Sequence, residues 1–477
     1  MNTTTYVTTT IPYVNGRPHV GFALELVQAD VIARNSRLLG NSTRFQTGTD
    51  ENAFKNVITA REEGITTQEL ADRNSAAFRN LGDALTVASD SFVRTTDDRH
   101  RRGVHQFWHR VRSDDLYRKR YTGLYCVGCE DFYLERDLVD GRCPDHGTTP
   151  VPVEETNYFF RLSSYQGQLE ELLSSDAIRV IPESRKNEVL SFIRRGLQDI
   201  SVSRAAERSG GWGIPVPGDP SQTIYVWIDA LINYVSGLGF GRKPNWDDFW
   251  NEDTRKIHVI GKNVWKFHAI YWPALLLSAG LALPDEIVVH GFLTENGQKI
   301  SKSRGSTIDP FTVIAEHGAD SVRYYLLRAV SPFLDGDFSV ERLAALYVSD
   351  LANGLGNLVS RLTTLSERAS YGAFDCPERP DSPAGFRDAI NEYRFDDSLR
   401  TLWNRITQLN QGIDQAQPWV LLREAKAREL RDCLTQWLEE LHSVAYWLQP
   451  FLPGTADRIL AILAAERIRK CAPLFPK

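Results

Sequence analysis

The first part of the chain alternates between short apolar runs and amphipathic stretches. Tyr6–Ile11 is rich in β-forming residues, and a helical pattern follows over Val20–Leu39. Ser42–Asn52 predicts a second strand that ends in a polar tip, and residues 65–118 have a helical pattern with one polar face. Strands that alternate with helices predict an α/β fold around a parallel sheet, which binds ligands at the carboxyl ends of its strands.

The pattern changes twice further along the chain. Residues 119–214 are rich in turns, aromatics and cysteines, which predicts an insertion. Three later runs, Thr223–Ala230, Lys256–Ile260 and Glu286–Phe292, predict strands and a return to the α/β pattern. From residue 340 the pattern is helical. The leucines that recur there at three- and four-residue steps are Leu351, Leu355, Leu358 and Leu362.

A chain of 477 residues is too long for a single core, so several domains are expected. The predicted segments are the first half of an α/β domain (1–118), the insertion (119–214), the second half of the α/β domain (215–339) and a helical domain (340–477). No dimerisation module is visible after the helical domain, so we expect a monomer, although the sequence does not determine the oligomeric state.

Composition narrows the class of protein. Hydrophobic residues make up 42% and charged residues 24%, as in ordinary globular enzymes. The net charge of −6 argues against a generally basic nucleic-acid coat but allows a local basic face. No apolar run is long enough to cross a bilayer, and the N-terminus lacks the features of a signal peptide. We therefore expect a cytoplasmic protein that does not bind a membrane.

Two separate stretches carry residues suited to phosphate chemistry. His19 and Gly21 lie at the predicted start of the first helix, where backbone N–H groups attract phosphate. His19 can donate to a phosphate oxygen, and Gly21 lets a flat ring approach the backbone. Far along the chain, Lys299 and Lys302 flank Ser301, and mobile lysines can neutralise a polyphosphate. Taken singly, an ordinary turn and a solvated basic loop explain these stretches as well.

Four soft ligands in the predicted insertion indicate a metal site. Cys126 and Cys129 form one knuckle, and Cys143 and His146 form a second one after thirteen intervening residues. Three thiolates and one imidazole suit tetrahedral Zn²⁺, and the absence of an open ligand position indicates a structural ion. The alternative is a loop that carries reduced, unconnected cysteines.

Together these motifs resemble the class I aminoacyl-tRNA synthetases, and most closely the methionyl-tRNA synthetase family. His19-Val20-Gly21-Phe22 is similar to the family's HIGH motif, and Lys299-Ile300-Ser301-Lys302-Ser303 to its KMSKS loop. The similar stretches, in order, are Tyr6 to Gly21, Phe45 to Glu51, Tyr125 to His146, Tyr225 to Tyr234, His258 to Pro273, His290 to Gly305 and Asn357 to Arg361. The resemblance implies a Rossmann-like α/β catalytic core with a zinc-knuckle insertion, followed by an all-helical anticodon-binding-like domain.

The resemblance also implies roles for individual residues. The implied catalytic residues are His19, Lys299 and Lys302. The implied ATP-binding residues are His19, Gly21, Phe22, Gly261, Asn263 and Lys302. The implied amino-acid pocket consists of Ile11, Tyr13, Asp50, Trp227, Ala230, Tyr234 and His268, in which aromatic rings suit a thioether and Asp50 can pair with the substrate ammonium. Any one of these aromatics, taken alone, is better explained by core packing. Asn357, Arg361 and Trp419 are the implied anticodon-reading residues.

The implied reaction is the activation of an amino acid, expected to be methionine, with Mg²⁺ and ATP, followed by transfer to tRNA. Four positions differ from the family motifs. Phe22 and Asn52 replace histidines, Ala53 replaces a glycine, and Asn263 replaces an aspartate. These differences motivate an alternative, a paralogue that activates an amino acid for a non-tRNA acceptor, as in hydrazine formation with a cupin partner. A non-enzymatic tRNA-binding or regulatory protein is a third class, against which the retained His19, Lys299 and Lys302 argue.

Overall fold

The computed structural model describes residues 3–476, except 127–130, 134, 136–137, 145–146, 296–297 and 300–307, and it describes only the backbone of 131–132 and 298–299. The chain forms two compact units that each draw on several segments. The first unit comprises Met1–Pro18, Gly40–Leu81 and Ser89–His290. The second unit comprises His19–Leu39, Gly82–Ala88 and Gly291–Lys477.

The strands and helices alternate along most of the first unit, and helices predominate in the second. In chain order the described strands are β1 (Thr4–Thr9), β2 (Ser42–Thr49), β3 (Ser91–Arg94), β4 (Leu116–Cys126), β5 (Asp131–Tyr133), β6 (Val151–Phe160), β7 (Arg179–Ile181), β8 (Ile200–Ser201), β9 (Ser203–Ala205), β10 (Pro215–Val216), β11 (Asp219–Ile224), β12 (Thr254–Gly261), β13 (Glu286–His290), β14 (Leu293–Glu295), β15 (Gln298–Lys299) and β16 (Gly336–Asp337).

The described α-helices are α1 (Val20–Leu38), α2 (Phe54–Glu63), α3 (Thr67–Ala84), α4 (Asp98–Arg110), α5 (Gln166–Ser174), α6 (Glu183–Arg194), α7 (Val226–Leu231), α8 (Asn233–Ser236), α9 (Trp272–Ala279), α10 (Pro310–His317), α11 (Ala319–Arg328), α12 (Val340–Leu346), α13 (Asn357–Arg368), α14 (Phe386–Asn391), α15 (Phe395–Ala416), α16 (Pro418–Arg423), α17 (Ala427–Leu448) and α18 (Pro453–Leu463). Two further stretches, Phe267–Tyr271 and Tyr347–Gly356, are π-helical and continue into α9 and α13. Within the described residues, no helix has both the length and the apolar character needed to cross a membrane.

A six-stranded parallel sheet forms the centre of the first unit, in the order β3-β2-β1-β12-β13-β7. Its central strands are mostly buried, although several of their residues are polar. The polar residues in these strands are paired across the sheet. Thr8 Oγ1 lies 2.6 Å from His258 Nδ1, and Thr9 Oγ1 lies 2.7 Å from Thr47 Oγ1. The predicted parallel α/β core is therefore confirmed.

Two local predictions for this unit were wrong. Residues 65–118 are not helical throughout, because β3 lies between α3 and α4 and pairs with β2. The run Thr223–Ala230 is not one strand, because β11 ends at Ile224 and α7 begins at Val226. Short apolar runs do not distinguish a buried strand from a buried helix, and here the tertiary environment decides.

Smaller sheets surround the central one within the first unit. Strands β5-β4-β6-β8 form an antiparallel sheet, in which β4 and β6 pair over their whole length. Strands β10-β11-β9 form another antiparallel sheet. Strand β7 comes from the segment predicted as an insertion, and it pairs with β13 at the edge of the central sheet.

A buried ion pair ties together distant segments of the second unit. Asp30 in α1 and Arg323 in α11 are both fully buried, and their side chains are 2.7 Å apart. Arg323 also donates to the backbone carbonyls of Leu85, Pro450 and Phe451. Removal of one partner from a buried pair costs about 3–5 kcal/mol, because it leaves the other charge uncompensated. The pair therefore fixes α1 against the helices of this unit.

Candidate active site

The centre of the predicted amino-acid pocket lies at the carboxyl ends of β1 and β2, in the first unit. Tyr13 and Asp50 form an isolated parallel bridge there, and the Asp50 N–H donates to the Pro12 carbonyl at 2.9 Å. The Asp50 residue is only 1% exposed. The ring of Tyr13 lies 5.6 Å from that of Trp227 at the start of α7. Three residues, Tyr13, Asp50 and Trp227, therefore come together from segments that are far apart in the sequence.

A third ring extends this aromatic group. Phe267 stacks on Trp227 with a centroid distance of 4.1 Å and an interplanar angle of 10°. Phe267 is the first residue of the π-helical turn after β12, and it is not among the residues predicted from the sequence. In the sequence, the only indication that Phe267 belongs to the pocket is that it directly precedes the predicted pocket residue His268. The rings of Tyr13, Trp227 and Phe267 form a continuous apolar wall, which suits an apolar or thioether side chain.

Tyr234 and His268 form a second part of the predicted pocket. The Tyr234 hydroxyl lies 2.7 Å from His268 Nε2, and His268 Nδ1 lies 2.9 Å from the carbonyl oxygen of Val264. Because a carbonyl only accepts, Nδ1 carries the proton, and Nε2 accepts from the Tyr234 hydroxyl. Both side chains are buried, so this pair of bonds fixes the orientation of the imidazole.

His258 in β12 has ring contacts with both Tyr234 and His268. Its ring centroid lies 4.2 Å from that of Tyr234, with the two rings tilted by 31°, and it is fully buried. Burial, followed by electrostatic interactions with His268 and Lys256, holds the pKa of His258 well below its usual value. His258 is therefore neutral at physiological pH.

The two remaining predicted pocket residues flank these groups in the chain. Ile11 precedes Pro12 and is almost completely buried, and so is Ala230 in α7. The Ala230 carbonyl accepts from the Asn233 side chain at 2.7 Å. All seven predicted pocket residues thus belong to the first unit. Contacts join Tyr13, Asp50 and Trp227 directly, and they join Tyr234 to His268.

His19 is the N-cap of α1, in the second unit. Its Nδ1 accepts from the Gly21 N–H at 3.1 Å, so the proton of the neutral ring is on Nε2. A Cβ atom on Gly21 would lie 2.9 Å from this ring. Glycine at position 21 lets the His19 ring lie close to the backbone, and the approach of a ligand ring to Gly21 stays a prediction. Phe22 is 7% exposed and has little free surface.

The other predicted ATP-binding residues are distributed over the chain. Gly261 ends β12 and Asn263 is exposed in the turn that follows, both in the first unit. The backbone of Lys299 lies in β15, which pairs with β14 in the second unit. Lys302 lies outside the described residues. The assembly of an ATP site from these residues stays a prediction.

Two of the four predicted zinc ligands are described. Cys126, at the end of β4, and Cys143 are each 1% exposed. Thr148 contacts both, since its Oγ1 lies 3.7 Å from Cys126 Sγ and its carbonyl accepts from the Cys143 N–H at 2.8 Å. Cys129 and His146 lie outside the described residues. Within the part of the chain that the structure describes, no three metal-ligating side chains form a cluster.

The predicted anticodon residues lie on the helices of the second unit. Asn357 and Arg361 are one turn apart on α13 and share a face. Arg361 pairs with Asp414 of α15 at 2.5 Å. Trp419, in the first turn of α16, is 50% exposed. A large aromatic ring with this much exposed surface is available to stack on another flat group.

Comparison with known proteins identifies the family. A family model described as "tRNA synthetases class I (M)" matches residues 5–149 and 137–363. The methionine–tRNA ligase of Fusobacterium nucleatum is 39% identical over 97% of this chain and 74% of its own length. That of Rhizobium meliloti is 40% identical over 98% of this chain and 92% of its own.

A solved structure is similar over the same extent. The methionyl-tRNA synthetase of Mycobacterium tuberculosis, bound by methionyl-adenylate, is 36% identical. It matches with a TM-score of 0.91 over 99% of this chain and 100% of that one. The chain therefore belongs to the methionyl-tRNA synthetase family of the class I tRNA synthetases.

Proposed function

We propose that the protein is a methionine–tRNA ligase, which activates methionine with ATP and transfers it to tRNA. The observation that carries this proposal is the aromatic wall of Tyr13, Trp227 and Phe267 together with the buried Asp50, whose backbone bridges to Tyr13. Such a site offers an apolar surface to a thioether and a negative charge to an ammonium group. The solved relative from Mycobacterium tuberculosis binds methionyl-adenylate, which agrees with this substrate.

In the first step, a carboxylate oxygen of methionine attacks the α-phosphate of ATP. An acyl–phosphate bond forms, and pyrophosphate leaves with the electron pair of the broken bond. Asp50 holds the ammonium, and the aromatic wall positions the side chain. In the second step, a ribose hydroxyl of the tRNA terminus attacks the acyl carbon and AMP leaves. Catalysis then depends on positioning and charge stabilisation, without a protein nucleophile.

The binding of the phosphate groups is assigned to His19, Lys299 and Lys302. His19 Nε2–H faces away from the cap that Nδ1 makes, so it can donate to a phosphate oxygen. Lys302, supported by Lys299, neutralises charge that develops on the leaving pyrophosphate. Gly261 and Asn263 are assigned to the nucleoside, and Phe22 to its base. Mg²⁺ accompanies ATP.

The helices of the second unit are assigned to the anticodon. Asn357 and Arg361 present amide and guanidinium donors on one face, and Trp419 presents an exposed ring. Unpaired bases are held by aromatic stacking together with hydrogen bonds from such side chains. This assignment makes tRNA the acyl acceptor.

A structural zinc ion is assigned to the two predicted knuckles of the insertion. The fit is supported by the two buried thiols and their shared neighbour Thr148. Cys126, Cys129, Cys143 and His146 would hold the ion, and it would cross-link the turns of this segment. We also expect a cytoplasmic monomer.

A paralogue that serves a non-tRNA acceptor is not favoured. Relatives at 38–40% identity over 95–98% of this chain are methionine–tRNA ligases. The substituted motif positions Phe22, Asn52 and Asn263 predict altered ATP binding within this function.

The decisive experiment is ATP–pyrophosphate exchange with each standard amino acid, repeated with and without tRNA. We expect exchange with methionine alone and methionylation of tRNA. Exchange without tRNA charging would contradict the assigned acceptor, and exchange with a different amino acid would contradict the assigned pocket. A Lys302→Ala variant that retained full exchange would contradict the assignment of Lys302 to the leaving pyrophosphate.

A further inference from the structure

A fully buried carboxylate, that of Asp229, belongs to the same helix as two predicted pocket residues. Asp229 is in α7, between the pocket residues Trp227 and Ala230. One of its oxygens lies 2.5 Å from His100 Nε2, and the other accepts from Asn52 Nδ2 at 2.7 Å. A buried carboxylate is costly unless donors satisfy it, so these two side chains hold α7 in place.

His100 is held at both of its ring nitrogens. Its Nδ1 lies 2.7 Å from the Ser236 hydroxyl in α8, and the residue is fully buried. The helices that carry this pair are in close contact, since a Cβ atom on Gly103 in α4 would lie 2.7 Å from Ser236 Cβ. His100 has no surface to offer to a substrate, and its role is therefore geometric.

Asn52 connects this network to the carboxylate that is assigned to the substrate ammonium. Its backbone N–H donates to Asp50 Oδ1 at 3.3 Å. Its side-chain nitrogen donates both to Asp229 and, at 3.3 Å, to the Thr95 carbonyl. A continuous chain of hydrogen bonds therefore runs from Ser236 through His100, Asp229 and Asn52 to Asp50.

We propose that His100, Asp229 and Asn52 are positioning residues that fix Asp50 relative to Trp227 and thereby set the affinity for the amino-acid substrate. The inference rests on the proposed function, because it takes the Asp50–Trp227 region as the amino-acid pocket. The network ties the loop after β2 to α7, so its loss lets the carboxylate and the ring separate. Displacements of about 1 Å in such sites lower activity by about two orders of magnitude.

The test compares His100→Ala and His100→Gln with the unaltered protein. In ATP–pyrophosphate exchange, we expect His100→Ala to raise the methionine KM at least about tenfold while the ATP KM is unchanged. His100→Gln keeps a donor towards Asp229, so it restores most of the methionine affinity. If His100→Ala does not fold, Ser236→Ala replaces it, with an expected rise in the methionine KM of about threefold.

Ser278→Ala is the matched control. Ser278 and Tyr165 both donate to Asp115, another buried carboxylate of the first unit that is remote in sequence from the pocket residues. We expect this variant to lower the melting temperature and to leave the methionine KM unchanged. Equal rises in the methionine and ATP KM values, or an unchanged methionine KM in a folded His100→Ala protein, would overturn the inference.

Hydrogen exchange in the ligand-free protein provides a measurement that does not depend on the reaction. The Asp50 N–H bonds to Pro12 and the Glu51 N–H to Thr95 Oγ1. We expect both amides to exchange faster in His100→Ala than in Ser278→Ala. Unchanged exchange contradicts the positioning role. Failure of the unaltered protein to use methionine contradicts the proposed function alone.

Discussion

Two tryptophans to which we assign binding roles, one in each unit, differ in their surroundings. Trp227 in the first unit stacks on Phe267 and lies beside Tyr13, whose backbone bridges to the buried Asp50. Trp419 in the second unit has half of its surface exposed. A small substrate gains affinity from an enclosure that is formed before it binds, because little ordering remains to be done. A base of an RNA loop supplies its own second face, so an exposed ring suffices.

The largest expected effect tests whether the second unit acts on the phosphates. His19→Asn keeps an N-cap for α1, since the Asn side chain also accepts from the first turn, but it removes the Nε2 donor. We expect kcat for exchange to fall about 10²-fold to 10³-fold with the methionine KM unchanged. Steady-state exchange kinetics and the melting temperature provide the measurement. A raised methionine KM would mean that His19, in the second unit, also affects binding of the amino acid.

Trp227→Ala tests the enclosed site. Removal of the indole takes away the centre of the aromatic wall, so we expect the methionine KM to rise about 30-fold, or ~2 kcal/mol. Binding of tRNA, measured by filter binding, is expected to be unchanged. Trp227→Phe keeps a ring against Phe267 and serves as the control, with a smaller rise. An unchanged methionine KM in Trp227→Ala would exclude this wall from the pocket.

Trp419→Ala tests the exposed ring in the same way. Stacking of a base on an aromatic ring contributes about 1–3 kcal/mol, so we expect the tRNA KM for methionylation to rise about tenfold or more. Exchange of ATP with pyrophosphate in the absence of tRNA is the control, and it is expected to be unchanged. If charging kinetics are unaffected, the ring does not contact tRNA.

The smallest effect concerns pH. The pKa of His258 is lowered in the folded state, mainly by burial, so below about pH 6.5 the unfolded state binds a proton that the folded state does not. The contribution of His258 to stability is therefore complete above that pH and is lost as the pH falls, by up to about 1.4 kcal/mol per pH unit.

We expect His258→Gln to reduce this slope, measured by the exchange of β12 amides between pH 5 and 7. His442 in the second unit also has a pKa that burial lowers, and His442→Gln is the matched comparison. We expect the pH dependence of amide exchange in β12 to change in His258→Gln and not in His442→Gln. An equal response to both would mean that the two units unfold together.

The sequence predicted β1, β12 and β13 because their segments are rich in β-branched and aromatic residues, which favour buried strands. It did not predict β3, which has four residues between two helices and gains its stability from pairing with β2. Pattern also failed at Val226, where a continuous apolar run passes from strand to helix.

The predicted pocket residues came from motif resemblance, and contacts now join Tyr13, Asp50 and Trp227. Phe267 and His100 were not predicted. Phe267 is one of many apolar residues in its stretch, and only its stacking on Trp227 distinguishes it. His100 lies 129 positions from Asp229 in sequence, and no local pattern reveals such a pair.

The buried Asp30–Arg323 pair has a consequence for dissection of the protein. Arg323 comes from a segment that begins at Gly291, whereas its partners Asp30 and Leu85 come from segments 19–39 and 82–88. A fragment cut at residue 291 would keep the guanidinium and lose its counter-charge, which costs about 3–5 kcal/mol. A fragment that begins at residue 291 is therefore expected to be less stable than the whole second unit, unless α1 is supplied with it.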